Sequence, residues 1–448
     1  MAATAARDRR ARPRPSANPA ALRRAARFPA LQAIFSRRSR RFALGAELTG
    51  PLAHRSAHDP LPLALEEEAI LVAAATGITG VARDEWPFLD ADGAATGADK
   101  LASYTGRAYP SPLAQHGTEL FWTNDEGVFV LPQRTELPQS YTQLARQAQR
   151  GALYRRAVKL QDGRLEIPRA TPNLFGLNHW IANADGSTLF IPVSDVTRQC
   201  IAAMLLYFDE PHRYYIHDPH LGGDPLRPLV RDGWFDASHP VDLWDFERWQ
   251  MVDMNGVEQG LMVQSLLIAT QALGLGGHPF SAGKGRVTMG GEEHWHAAGG
   301  HGPAGSLGFT FHRVPDDAPV GAGRPVPVGL PGIFEGYVPP FHATIEAAVD
   351  AVVSLRRHNQ GPTPWRDASV AAEIPGPSEQ AVAATKLLAS YVWQHYGRFP
   401  ATIDPFLMTV WYQAHHLDID FYDRFYPRAA VPDHIRNHIR EWHPDPHG

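Results

Sequence analysis

Apolar positions recur along this chain with two different periods, and the helical period is the clearer one. Residues 257–275 carry small or apolar side chains on one broad face of a predicted helix. Glycines at 274, 276 and 277 are predicted to end this helix. That face consists of Leu261, Gln264, Ser265, Ile268, Ala269 and Ala272. Residues 65–75 show the same period with three glutamates at the start, which suit the positive end of a helix dipole. Residues 194–208 form a third apolar segment of helical length.

Two more helices are predicted near the C-terminus. Residues 378–396 have Ser378 as a plausible N-cap and Gly397 as a stop. The second helix is predicted to open at Asp404, a capping residue followed by a proline that suits the first helical position. Residues 359–377, which precede both helices, are typical of a linker.

Strand signals are shorter. Residues 119–131 read as a strand, the turn Asn-Asp-Glu-Gly and a second strand, which is a hairpin pattern. Residues 189–193, 214–218 and 306–313 also favour strands, and residues 278–308 favour a loop rich in glycine and histidine. Because strands and helices do not alternate regularly, the pattern predicts an α+β fold with a mixed or antiparallel sheet flanked by helices.

Composition narrows the class of protein. The chain has 448 residues, 44% of them hydrophobic and 20% charged, which is typical of a soluble globular protein of one or two domains. No run approaches the roughly 20 apolar residues of a membrane span. The net charge of −5 is not the positive charge that is typical of a nucleic-acid-binding protein. We therefore expect a cytoplasmic protein with no nucleic-acid or membrane partner.

The N-terminal segment has a different composition. Eight arginines face a single aspartate among the first 27 residues, and alanine and proline make up most of the rest. Residues 1–28 are predicted to be disordered because they cannot bury enough apolar surface. An organelle transit peptide has a similar composition and is the alternative.

The run Arg37-Arg38-Ser39-Arg40-Arg41-Phe42 places four arginines around one hydroxyl. Guanidinium groups offer planar forks of donors that suit phosphate oxygens, and a serine adds a short donor. The run therefore predicts a cradle for one phosphomonoester, with a solvated basic run as the alternative.

Other nucleotide and hydrolase motifs are absent. The glycines at 274, 276 and 277 follow a helix, whereas a Rossmann turn follows a strand. Gly283-Lys284 lacks the neighbours of an NTPase phosphate loop, and Ser281 lies in Pro-Phe-Ser-Ala-Gly, which is not a nucleophile elbow.

We expect no metal site. Cys200 is the only cysteine, so a thiolate site is excluded. His415 and His416, on a predicted helix, would point about 100° apart. A further set of metal-ligand type lies in a glycine-rich segment that favours a polar loop: Glu292, Glu293, His294, His296 and His301.

Three segments in order resemble the nitroreductase-like family of FMN-dependent oxidoreductases. The run at residues 37–42 is similar to that family's opening Arg-x-Ser-x-Arg/Lys motif. Residues 107–121, with Pro110-Ser111 and Glu119-Leu-Phe, resemble the subgroup that dehydrogenates thiazoline and oxazoline rings in peptides. Residues 258–276, with Gln264-Ser265, are similar to the family's long helix, although that helix usually has Asn at the place of Ser265.

The resemblance implies a sandwich fold that dimerises with FMN at the subunit interface. It divides the chain into a tail (1–28), an FMN-binding domain with an insertion (29–358), and a linker with a C-terminal helical extension (359–448). The implied flavin-binding residues are Arg37, Arg38, Ser39 and Arg41 for the phosphate and ribityl chain, Pro110 and Ser111 for the ring edge, and Gly276, Gly277, His278, Pro279, Phe280 and Ser281 for a loop near flavin N5.

The implied activity is hydride transfer between flavin N5 and an organic substrate, with the flavin supplying the chemistry. The substrate would be a small molecule or peptide-like, and NADH or NADPH is a candidate electron donor. A homologue that binds flavin without turnover and a dehydrogenase of azoline rings are the alternatives. No catalytic residue of the protein is assigned.

Overall fold

The computed structural model describes residues 14–82, 92–95, 104–133, 149–167, 169, 173–281, 285–290, 306–357, 365–367 and 369–443. The helices in this part are α1 (Pro19–Ala26), α2 (Ala30–Ser36), α3 (Leu65–Thr76), α4 (Gln149–Tyr154), α5 (Val196–Phe208), α6 (Arg227–Arg231), α7 (Leu243–Glu247), α8 (Met254–Leu273), α9 (Gly285–Met289), α10 (Ile345–Arg357), α11 (Val370–Glu373), α12 (Glu379–Tyr396), α13 (Ile419–Phe425), α14 (Asp433–Arg436) and α15 (His438–Trp442). The cluster of Glu292, Glu293, His294, His296 and His301 lies outside the described residues.

The strands of the described part are β1 (Glu47–Leu48), β2 (His54–Arg55), β3 (Ile78–Ala82), β4 (Tyr104–Arg107), β5 (Thr118–Thr123), β6 (Gly127–Leu131), β7 (Val158–Asp162), β8 (Thr188–Asp195), β9 (Tyr215–His217), β10 (Pro240–Asp242), β11 (Gly276–Phe280), β12 (Thr310–Arg313), β13 (Pro325–Leu330), β14 (Phe334–Glu335), β15 (Phe406–Leu407) and β16 (Trp411–His415). Helices and an antiparallel sheet therefore coexist, and the α+β class is confirmed.

The main sheet has the order β11-β16-β8-β5-β6-β7, and β15 also pairs with β8. All neighbouring strands in it are antiparallel, and the predicted hairpin is the β5–β6 pair. Every residue of β5 and β8 is buried, so the centre of the sheet is covered on both faces. Phe121 and Trp122 illustrate this, because successive side chains point to opposite faces and the two belong to different apolar clusters.

Helices α3 and α8 cover one face of the sheet, and their buried side chains, such as Leu71 and Met262, belong to the same apolar cluster as Trp122. A further cluster joins α5, α10 and α12. The predictions for α3, α5 and α8 are confirmed to within a few residues at each end. Gly274, at φ +85°, ends α8 in the left-handed conformation that favours glycine.

The predicted C-terminal helical extension is only partly correct. Helix α12 forms as expected, since the Ser378 hydroxyl accepts a hydrogen bond from the Ala381 N–H at 3.1 Å. The helix predicted at Asp404 is wrong, because residues 406–407 and 411–415 are strands, and β16 lies between β11 and β8. Asp404 accepts hydrogen bonds from Arg286 and Arg398 rather than capping a helix. Tertiary pairing therefore overrides the local cap signal.

The predicted disordered tail also differs from the structure. Residues 1–13 lie outside the described part, but residues 14–28 include α1 and pack on the chain. The Asn18 backbone donates to the Trp442 carbonyl at 3.0 Å, and Arg14 lies 3.3 Å from Glu68 and 2.8 Å from Glu126. The arginines that indicated disorder therefore include one that pairs with a buried carboxylate.

Within the described residues, no helix combines the length and the apolar character needed to cross a bilayer.

Candidate functional site

The arginine-rich run follows α2 and lies against the end of α8. Arg40 pairs with Gly277 in an isolated antiparallel bridge, so the run extends beside strand β11. The Arg40 side chain is buried and donates to the Ala430 carbonyl at 2.8 Å and to Gln271 Oε1 at 3.2 Å. Arg40 is therefore an anchor for its neighbours rather than a free donor.

Two of the neighbouring arginines are available to a ligand. Arg37 and Arg41 are half-buried, and neither guanidinium has an ion-pair partner among the described residues. Arg38 is exposed and donates to the Arg37 carbonyl at 2.7 Å, and Ser39 is exposed. A pair of half-buried cations without counter-ions is an arrangement that attracts an anion.

Residues 276–280, which were expected to form a loop, are the strand β11. The strand pairs with β16, and Gly276 lies opposite His415. A Cβ atom on Gly276 would lie 2.3 Å from the Leu417 side chain, and one on Gly277 would lie 2.4 Å from the Tyr412 hydroxyl. The glycines are therefore needed for close packing in the sheet. The glycine spacing indicated a loop because sequence alone does not reveal that a strand from residue 411 approaches.

His278 is the one chemically unusual side chain on β11. It is fully buried, and neither ring nitrogen has a hydrogen-bond partner among the residues that the structure describes. Burial, together with the charges of His415 and Arg41, lowers the pKa of His278 to about 2. The imidazole is thus neutral at physiological pH. A buried polar ring without partners is costly, so this position suits the polar atoms of a bound ligand.

The remaining predicted residues of this strand differ in exposure. Phe280 is buried, and its ring meets that of Trp411 edge-on at 5.5 Å, which makes it part of the core. Pro279 is half-exposed, and Ser281, just beyond the strand, is exposed. We define the arginine cluster as Arg37, Arg41, Gly277 and His278.

Pro110 and Ser111 lie elsewhere. Pro110 is exposed, and the Ser111 hydroxyl donates to Glu258 in α8 and accepts from the His116 N–H at 3.1 Å. The Thr118 hydroxyl donates to the other carboxylate oxygen of Glu258.

Burial raises the pKa of Glu258, although the hydrogen bonds from Ser111 and Thr118 and the charge of Arg198 oppose that rise. We define the serine cluster as Ser111, His116, Thr118 and Glu258. Glu258 and Thr118 lie within the motifs that resemble the family, but no local signal in the sequence pairs residue 118 with residue 258.

The two clusters lie at different ends of α8. Glu258 contacts the serine cluster, whereas Gln271 contacts Arg40 beside the arginine cluster. Thirteen residues separate them, which corresponds to about 20 Å along the helix. Within one chain, the predicted flavin-binding residues therefore fall into two groups.

The comparisons with known proteins are sparse. No protein-family model and no curated protein match the chain. Among solved structures, a crystal structure of a "putative nitroreductase" from Ralstonia eutropha has 13% sequence identity and a TM-score of 0.26, over 61% of this chain and 82% of that chain. A likeness at this score and identity establishes neither family nor activity for this protein.

Proposed function

We propose that the protein is an FMN-dependent oxidoreductase of the nitroreductase-like type. The observation that supports this most is the arginine cluster. Two half-buried arginines, which have no counter-ion among the described residues, are sequence neighbours of Arg40, and Arg40 bridges to β11. That strand carries a buried imidazole with no hydrogen-bond partner in the described part of the chain, and it follows the long glycine-capped helix that resembles the family's helix.

The residues present fit a phosphate-bearing cofactor. Arg37 and Arg41 offer forked, charge-assisted hydrogen bonds, and the exposed Arg38 and Ser39 add further donors beside them. His278 offers a neutral ring nitrogen that can donate or accept. Bound FMN would supply the hydride chemistry, and the role of these side chains would be to hold and orient it.

We propose a homodimer in which the serine cluster of one protomer and the arginine cluster of the other together hold the flavin. A two-fold axis that packs α8 against its copy in antiparallel orientation would place the serine cluster of one protomer near the arginine cluster of the other. Exposed apolar side chains lie on this side of the described part of the molecule. Leu31 and Phe35 of α2 are 67% and 76% exposed, and Val257 of α8 is 49% exposed. Exposed apolar surface of this kind marks association sites.

The first test is the absorption spectrum of the purified full-length protein, with the released cofactor identified by mass. We expect stoichiometric, non-covalent FMN. Arg37→Ala combined with Arg41→Ala removes two charge-assisted contacts worth roughly 1.5–3 kcal/mol each, so FMN affinity should fall by at least about 100-fold. Arg55→Ala, an exposed arginine paired with Glu47, is the matched control and should bind normally. A protein that carries no flavin and does not bind added FMN contradicts the proposal.

Turnover is a separate question. Anaerobic addition of NADH or NADPH should bleach the flavin bands, and a nitroaromatic, a quinone or an azoline-containing peptide should then be tested as a substrate. A yellow protein that no donor or substrate bleaches would favour the homologue that binds flavin without turnover. Oxidation of an azoline ring with concurrent flavin reduction would favour the peptide-modifying subgroup.

A further inference from the structure

A third cluster of polar side chains lies in the interior and shares no residue with the arginine and serine clusters. Glu67 comes from the first turn of α3, His416 follows β16, His438 begins α15 and His443 follows it. All four are buried, and one possible ligand atom from each lies within 4.8 Å of the others. We propose that these residues form a closed site for one divalent transition-metal ion, with Zn²⁺ as the ion that fits best.

The distances within the cluster lie close to those between ligands of one ion. From Glu67 Oε1, His438 Nε2 lies at 2.8 Å and His443 Nε2 at 3.3 Å, and His416 Nε2 lies 3.7 Å from Glu67 Oε2. Tetrahedral ligands about 2.0–2.2 Å from Zn²⁺ are spaced roughly 3.3–3.6 Å apart. His438 Nε2 has no hydrogen-bond partner despite its short distance to the carboxylate, so the two atoms are not aligned as donor and acceptor.

Surrounding backbone groups orient two of the ligands. His438 Nδ1 lies 2.9 Å from the Leu273 carbonyl, which places the proton on Nδ1 and leaves the Nε2 lone pair free. The Ala64 N–H donates to Glu67 Oε2 at 2.7 Å and so directs the carboxylate. Metal-bound histidines commonly hold their second nitrogen on a carbonyl in this way. A divalent ion would also balance the charge of the buried Glu67 carboxylate.

The ligand set favours a particular kind of ion. Three imidazoles and one carboxylate suit Zn²⁺ and its neighbours, and no sulfur is available because Cys200 is buried in another apolar cluster. Four buried protein ligands leave no open coordination position for a substrate, which is the pattern of a structural metal site. An ion here would hold the C-terminal residues against α3 and the end of α8.

The arrangement also explains why the sequence predicted no metal site. On the expected helix, His415 and His416 would point about 100° apart, so the sequence indicated no shared site for the pair. In the structure His415 ends a strand, and the two neighbours diverge, since the His415 ring faces that of His278 whereas His416 faces Glu67.

Elemental analysis of the untagged full-length protein tests the proposal. We expect close to one zinc per chain, and X-ray absorption at the zinc edge should show nitrogen and oxygen neighbours at about 2.0–2.2 Å and no sulfur. A strong chelator should remove the zinc and lower the melting temperature. These wild-type measurements do not depend on a variant folding, and they do not depend on flavin content.

His443→Gln and Glu67→Gln should lose zinc affinity by at least tenfold. His434→Gln is the matched control, because His434 lies near His438, bonds the Gln271 carbonyl at 3.0 Å and is not part of the cluster. Equal zinc content in all three variants would overturn the assignment. So would a folded wild-type protein that contains no metal and binds no added Zn²⁺, Co²⁺ or Ni²⁺ in equilibrium dialysis.

Discussion

Arg40 lies opposite Gly277 in an antiparallel bridge, which joins the arginine-rich run near the N-terminus to the strand that follows the longest helix. The Arg40 guanidinium reaches the Ala430 carbonyl at 2.8 Å, so the same residue also holds the C-terminal segment. One buried arginine therefore orients its neighbours Arg37 and Arg41 and connects three distant parts of the chain.

Gly277→Ala should destabilise the protein. Its new Cβ atom would lie 2.4 Å from the Tyr412 hydroxyl and 2.7 Å from the Gln413 carbonyl oxygen, so β11 and β16 would have to separate. We expect a loss of about 1–3 kcal/mol in the free energy of unfolding, measured by urea denaturation. Gly256→Ala in α8 is the control, since nothing lies within 4 Å of that Cβ position. Equal stability of the two variants would show that β11 is not held in this register.

Deleting residues 1–28 should lower the free energy of unfolding, contrary to what the composition of the tail indicates. The deletion removes the Arg14 contact with Glu68, whose side chain is buried, and the Asn18 contact with Trp442. We expect a loss of about 1–3 kcal/mol, because Glu68 keeps its other donors, among them Trp122. Deletion of residues 1–13 removes none of the described contacts. If both deletions melt like the full chain, α1 contributes nothing to stability.

Glu258→Gln should change how stability depends on pH. Burial raises the pKa of Glu258 in the folded protein, so the folded state keeps a proton that the unfolded state releases above its pKa of about 4.3. The free energy of unfolding therefore falls as pH rises from the pKa of Glu258 in the unfolded state to its higher pKa in the folded state. The slope is at most about 1.4 kcal/mol per pH unit.

Glutamine does not titrate, so the variant does not lose stability in this way. In chemical denaturation at a series of pH values, the free energy of unfolding of the variant relative to that of wild type should therefore increase from acid to neutral pH. Glu373→Gln, at an exposed position, is the control and should follow the wild-type curve. Parallel curves for wild type and Glu258→Gln would mean that Glu258 titrates normally.

Phe35→Glu should dissociate the proposed homodimer. Its side chain is 76% exposed on α2, and a charge there would have to be desolvated in an interface. Light scattering should give the mass of one chain, and flavin content should fall with it. Leu177→Glu, at an equally exposed apolar position, should remain dimeric. Dissociation by Leu177→Glu alone would place the interface on another face, and a wild-type monomer that holds FMN would contradict the dimer.

The sequence by itself determined the elements whose signals are local. Helix α12 lies between a serine that caps its first turn and a glycine at φ +62°, and the sequence predicts both ends. The β5–β6 hairpin was equally predictable, because two apolar strands flank a four-residue polar turn. Local capping and turn chemistry act over a few residues, so no tertiary knowledge is needed to recognise them.

Only the tertiary structure decided what residues far apart in sequence do together. The Asp404-Pro405 signal favoured a helix, yet residues 411–415 become a strand because an open position in the sheet between β8 and β11 satisfies their backbone groups. That pairing directs His415 toward His278 and His416 toward Glu67. The grouping of Glu67, His416, His438 and His443 has no sequence signature, since ligand spacing is informative only when the ligands lie on one local element.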